Sequence, residues 1–151
     1  MYNDHFEQFT LTLADILKSI KKIKDKRMNT YGLRSSHVMV LYLLGREENG
    51  LTPVELAESG SVDKALISRI ITELTEKGFV TNNPVDGKRY KARLVLTPSG
   101  KEASRYIAAM ISDTQKKVSG NISKEDMETF YRVLFTLQDN FRSMISESDP
   151  E

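Results

Sequence analysis

The stretch Leu51–Val80, "LTPVELAESGSVDKALISRIITELTEKGFV", decides the fold, because it reads as two helices meeting at a tight turn. Thr52 can accept from the backbone amide of Glu55, Glu55 can reach back, and Pro53 suits a first helical turn. These signals predict a short helix ending near Gly60. A second helix follows and stops at Gly78. With Lys64 set to zero and about 100° advanced per residue, Leu66, Ile67, Ile70, Ile71 and Leu74 fall between roughly 200° and 340°. Lys64, Ala65, Ser68, Arg69 and Thr72 fall between roughly 0° and 140°. One face is dry. The other carries a lysine and an arginine beside small residues that allow close approach to a groove, with Arg and Lys suited to guanine edges or phosphates. Asp63, at the first turn on the apolar side, suits helix-end stabilisation better than a contact.

Working outward, "FVTNNPVDGKRYKARLVLT" (79–97) changes period. "FVT" and "RLVLT" read as two short strands, and "NNPVDG" between them is dense in turn formers. "KRYKAR" (88–93) places four basic side chains and no acid on the hairpin. On the other side, "HVMVLYLLG" (37–45) is almost wholly apolar and reads as a buried helix with Ser35 or Ser36 as its cap. A long amphipathic helix precedes it, with Phe6, Phe9, Leu13, Ile16, Leu17, Ile20 and Ile23 at helical spacing and Gly32 as a stop. Thr97–Pro98 open a fifth helix, and Ser123 with Asp126 opens a sixth bearing Met127, Phe130, Leu134, Leu137, Phe141 and Met144. The predicted architecture is mainly α: about six helices plus a two-stranded β-hairpin wing, arranged as a winged helix-turn-helix.

The 151 residues, 39% hydrophobic and 28% charged, suit one soluble domain. No apolar run is long enough to span a bilayer, and the N-terminus lacks a signal pattern, so a cytoplasmic location without membrane partners is expected. Zero cysteines excludes disulfides, thiolate metal sites and a cysteine nucleophile. With only His5 and His37, an imidazole metal cluster is not expected, nor is any cofactor. No phosphate loop, paired-carboxylate site or nucleophile–base arrangement points to an enzyme. The net charge of +1 conceals a basic run at 18–27, "KSIKKIKDKR", and an acidic tail at 147–151 expected to fray. Lys18, Lys21 and Lys22 read as the wet side of the first helix; Lys26 and Arg27 can add long-range attraction to DNA.

"VDKALISR" (62–69) fits an Asp-Lys-x-x-x-Ser-Arg recognition-helix pattern, and "LVLTPSG" (94–100) fits a Leu-Thr-x-x-Gly exit from a wing. On these residues the chain resembles the MarR family of bacterial transcriptional regulators, nearly end to end. The resemblance implies a homodimer on a pseudo-palindromic operator, with 33–97 as the DNA-binding lobe and 1–31 and 98–146 as dimerisation helices. It implies major-groove contacts from Lys64, Ala65, Ser68 and Arg69, a minor-groove wing arginine at Arg89, and phosphate contacts from Lys88, Lys91, Ser35 and Ser36. One departure stands out: many members carry an Asp before the wing arginine, where this chain has Lys88, its nearest acid being Asp86. Family members often bind a small aromatic or anionic effector, which here implicates Tyr31, His37 and Met39. For His37, a capping or packed role competes with that assignment.

The expected function is a sequence-specific, ligand-responsive repressor acting as a homodimer on double-stranded DNA. The competing class is a winged-helix protein-interaction module that does not bind DNA, since a lysine and an arginine on a wet face also describe a merely soluble helix. The basic hairpin favours DNA by supplying the second half of a footprint.

Overall fold

Caps and hydrophobic spacing resolve into six α-helices and one antiparallel hairpin among the described residues. This computed structural model describes the backbone of residues 2–85 and 88–148 and the side chains of residues 5–83 and 92–148. Helix α1 spans Tyr2–Met28 and is followed by a 3-10 turn at Asn29–Tyr31. Helices α2 (Ser35–Arg46), α3 (Pro53–Gly60) and α4 (Lys64–Glu76) come next. Strands β1 (Val80–Val85) and β2 (Lys88–Leu96) form the hairpin, and α5 (Pro98–Ser119) and α6 (Lys124–Ser148) follow. The order is that of a winged helix-turn-helix.

The chain forms two compact units, residues 1–111 and 112–151. In the first, α2 packs against α1, α3, α4 and β2, which explains why its sequence is apolar on nearly every side. Val38, Leu41 and Leu44 of α2 share the core with Leu56, Ile67, Ile70, Leu74, Val80, Leu94 and Ile107. Each such aliphatic side chain contributes about 1.5–3 kcal/mol by leaving water. In the second unit α6 has no buried residue and exposes Phe130, Tyr131, Val133, Phe135, Met144 and Ile145. Helix α1 likewise exposes Leu11, Leu13, Ile16, Leu17 and Ile20.

The caps form as their chemistry requires. Thr52 and Glu55 make reciprocal bonds of 2.8 and 3.2 Å, and Thr97 and Ser123 accept from Gly100 and Asp126 amides at 3.1 and 3.0 Å. Two features depart from expectation. Helix α2 is capped by neither Ser35 nor Ser36: Arg34 holds the cap position, its amide donates to His37 Nδ1 (2.9 Å), and the Ser35 amide donates to Asp25 Oδ1 of α1 (2.7 Å). The Asp25 carboxylate is a charged acceptor and makes the stronger bond, and the neutral His37 imidazole takes the neighbouring amide.

The strands are also longer than expected, with Asn82 and Asn83 paired to Leu94 and Arg93. Cross-strand pairing thus overrides the turn preference of the asparagines, and the register shifts only between Asn83 and Val85, around Pro84, which has no amide to donate. Leu51 adds a bridge to β2 through two bonds with Leu94 of 3.1 and 2.8 Å.

Helix α3 ends at Gly60, where the sequence predicts, and a tight turn leads into α4. Gly60 remains helical, and the left-handed residue is Ser61, at φ 51°. A Cβ at Gly60 would strike the Met39 side chain, so the glycine serves packing while the serine carries the backbone strain. Ser61→Gly is therefore expected to raise the unfolding free energy by about 0.5–1 kcal/mol, and Ser61→Val to lower it by at least about 1 kcal/mol, as read from denaturant midpoints.

Candidate nucleic-acid interface

On α4, the aliphatic ridge of Ile67, Ile70 and Leu74 is at most 3% exposed, and Lys64, Ala65, Ser68 and Arg69 all lie on the exposed side. Asp63 Oδ1 accepts from the Leu66 amide at 2.7 Å, so this carboxylate closes the helix N-terminus instead of facing a partner. The Thr72 hydroxyl is turned back onto the Ser68 carbonyl at 2.9 Å. Lys64 and Arg69 form no ion pair among the described residues. Their cations remain available to a partner.

Glu73, one turn beyond Arg69, is held by α2. Its Oε2 accepts from Arg34 Nη2 and contacts His37 Nε2, each at 2.7 Å. His37 is 1% exposed, and because its Nδ1 accepts the Arg34 amide proton, the ring's own proton sits on Nε2 and is donated to Glu73. Arg34 first, then His37, holds the Glu73 carboxyl below its ordinary range. Asp25 is held at about 2, below its ordinary 3.8, by the Lys21 ammonium at 2.7 Å and by the Ser35 amide.

That amide bond changes the role expected of Ser35 and Ser36. Ser35 is half-buried with its amide engaged by Asp25, so a phosphate at this helix end would meet a carboxylate of the same chain; Ser36 is exposed. In the wing, the side chains of Lys88, Arg89 and Lys91 lie outside the described residues, while their backbone runs in β2. Arg93, counted among the four basic residues of the hairpin, faces inward. Its guanidinium bonds the carbonyls of Asn49 and Gly50 and the Glu55 carboxylate at 2.9–3.1 Å, tying the wing base to the capping box of α3. The Thr52 amide, then Arg93, lowers the Glu55 carboxyl.

The suggested effector residues do not converge. Tyr31 packs on the Tyr106 ring (centroids 5.2 Å apart), His37 turns to Glu73, and Met39 lies against Gly60. Two hollows lie elsewhere in the first unit. One, of about 620 Å³, sits among Leu44, Glu47, Leu96, Lys101 and Arg105; the other, of about 480 Å³, among Lys21, Asp25, Lys26, Arg34 and Ser36. No group of side chains suited to a metal ion occurs among the described residues, and none of their helices is long and apolar enough to cross a membrane.

Arg34, Glu73, Asp25 and Arg93 escaped the sequence reading as a set. Their partners stand 39, 36, 10 and 38 residues away, beyond any local spacing rule. The visible signal was the pair Glu73 and Glu76, acids placed late on a helix that opens with Lys64 and Arg69.

A strand pair after two helices in a tight turn, with the second helix exposing cations, defines a winged helix-turn-helix protein. The family model described as MarR family matches residues 31–89. A crystal structure of a MarR family transcription regulator superposes with a TM-score of 0.83 at 20% identity, covering 97% of both chains. The Staphylococcus aureus MepR–DNA complex gives 0.80 at 15% identity, covering 87% of this chain and 97% of the other. Staphylococcus aureus MarR in complex with salicylate and kanamycin gives 0.78 at 16%, covering 94% and 95%. The sequence match over residues 31–89 and the fold over nearly the whole chain agree: the chain is similar to MarR family transcription regulators.

The Asp25 bond links stability at the α1–α2 junction to pH. Its folded value lies below the ordinary one, so its contribution is complete at neutral pH and is lost as pH falls from 3.8 toward about 2. Asp25→Ala is expected to be less stable than the parent at neutral pH. That gap should close as pH approaches about 2 in parallel denaturant titrations.

Proposed function

We propose that this chain is a regulator of the MarR family, a sequence-specific DNA-binding protein acting as a homodimer in the cytoplasm, and a repressor that a small molecule releases from its operator. The observation that carries the reading is the exposed row Lys64, Ala65, Ser68 and Arg69, set opposite a buried aliphatic ridge. Arg69 suits the paired acceptors of a guanine edge, Ser68 either a base or a phosphate, and Ala65 the close approach of the helix to the major groove. Lys64, with Arg89, Lys88 and Lys91 on the wing, would neutralise phosphates and make affinity salt-dependent. The MepR–DNA complex supports this assignment by its fold.

Dimerisation draws support from the two long helices. Leu13, Ile16, Leu17 and Ile20 on α1 and Phe130, Phe135, Met144 and Ile145 on α6 are exposed, more apolar surface than a monomer usually leaves wet. A second copy would cover it and place two reading heads about one DNA turn apart. For the effector, the relative crystallised with salicylate suggests a small aromatic anion. Such an anion would find no common site in the divergent trio Tyr31, His37 and Met39, and in the hollow between α1 and α2 it would meet Asp25 as well as Lys26 and Arg34. It would act by favouring a head spacing that mismatches the operator.

Arg69→Ala is expected to lower affinity for a duplex selected from a random library by roughly 5- to 150-fold, the range of one bidentate base contact. Gel-shift titration against that duplex and a scrambled one measures it; unchanged affinity would refute the assignment. In sedimentation, Leu17→Glu with Phe135→Glu should convert dimers to monomers.

A further inference from the structure

Glu73 stands on the reading helix yet takes no place in the DNA-facing row. A helix seated only by an aliphatic ridge keeps some freedom to roll and slide, because dispersion contacts are shallow and non-directional. A hydrogen bond is directional and weakens over a few tenths of an ångström. Glu73 receives two such bonds at one oxygen, both 2.7 Å, from a guanidinium and a buried imidazole. The imidazole is itself fixed, since its other nitrogen accepts the Arg34 amide that begins α2, and the next amide is held by Asp25 of α1.

Position along the helix adds a second consequence. Glu73 lies four residues after Arg69, the spacing at which an acid and a base on one helix pair. Left unheld, its carboxylate would compete with DNA for the Arg69 guanidinium. Held by Arg34 and His37, it leaves Arg69 without an ion pair among the described residues.

We propose that Glu73, clamped by Arg34 and His37, is a positioning residue for DNA reading: it sets the roll of α4 on α2 and keeps its carboxylate away from Arg69. The proposal rests on the DNA-binding function above. It assigns the clamp to sequence preference rather than to general affinity, because phosphate contacts tolerate small rotations of a helix and bidentate base contacts do not.

Three variants separate geometry from charge. Glu73→Gln keeps the length and an oxygen for both donors but removes the charge. Glu73→Asp keeps the charge but is one methylene too short to serve both donors. Glu73→Ala removes both. The readout is the ratio of affinities for the library-selected and scrambled duplexes, with cooperative melting confirming that each variant folds.

Glu73→Gln should preserve the ratio within about threefold, while Glu73→Asp and Glu73→Ala should each reduce it by about tenfold or more, with little change toward scrambled DNA. A purely stabilising role would lower both affinities together and leave the ratio intact, which overturns the proposal. The reverse order, with Asp tolerated and Gln not, overturns it as well, since charge would then matter and geometry would not. Arg69→Ala serves as the independent control. If it loses preference while all three Glu73 variants retain it, the clamp is refuted and the DNA assignment stands; if the parent itself shows no preference, the DNA assignment fails.

Discussion

Burial of the α4 ridge against α2 is the constraint from which the interface follows. Side chains on a helix are spaced by about 100°, so committing Ile67, Ile70 and Leu74 to a common core decides which α4 residues face outward, leaving the fine roll of the helix to directional bonds. Lys64, Ala65, Ser68 and Arg69 are exposed as a consequence, with no ion pair to Lys64 or Arg69 among the described residues. The same core includes Leu56 of α3, Val80 and Leu94 of the hairpin and Ile107 of α5. Helix, turn and wing base are thereby one packed body.

Hydrophobic packing alone leaves helix orientation loosely specified, and this protein adds directional bonds where orientation matters. Asp25 joins α1 to the first turn of α2, His37 and Arg34 join α2 to α4, and Arg93 joins β2 to α3. Each bond crosses between elements, and each uses a charged group, which makes the bond shorter and stronger than a neutral one. The cost of such partners is that charges are withdrawn from the surface. Arg93 faces inward, Lys21 is paired with Asp25, and Arg34 is paired with Glu73. The protein divides its cations between architecture and an interface, and the division is invisible to any count of net charge.

Much of the fold was legible in order along the chain. The period change at Phe79, the capping pairs Thr52–Glu55 and Ser123–Asp126 and the apolar run of α2 are local signals with local causes, and each element appeared where they put it. The misplacements share one origin. Ser35 and Ser36 lost the capping role as the Asp25 carboxylate of α1 took the Ser35 amide, and Asn82 and Asn83 were drawn into β1 by pairing with β2. In each case a contact distant in sequence outweighed a local preference worth about 1 kcal/mol or less.

The sequence by itself determined which α4 residues lie on the wet face, because helical periodicity is a property of the backbone and needs no neighbour. It also determined that Asp63 belongs to the helix end, since that bond closes within three residues. Only the tertiary structure decided which charges stay available to a partner: Arg69 remains unpaired among the described residues while Glu73, Arg34 and Arg93 do not. Charges pair through space, at distances near 3 Å, between residues some 40 positions apart, so their assignment exists only once the chain has folded.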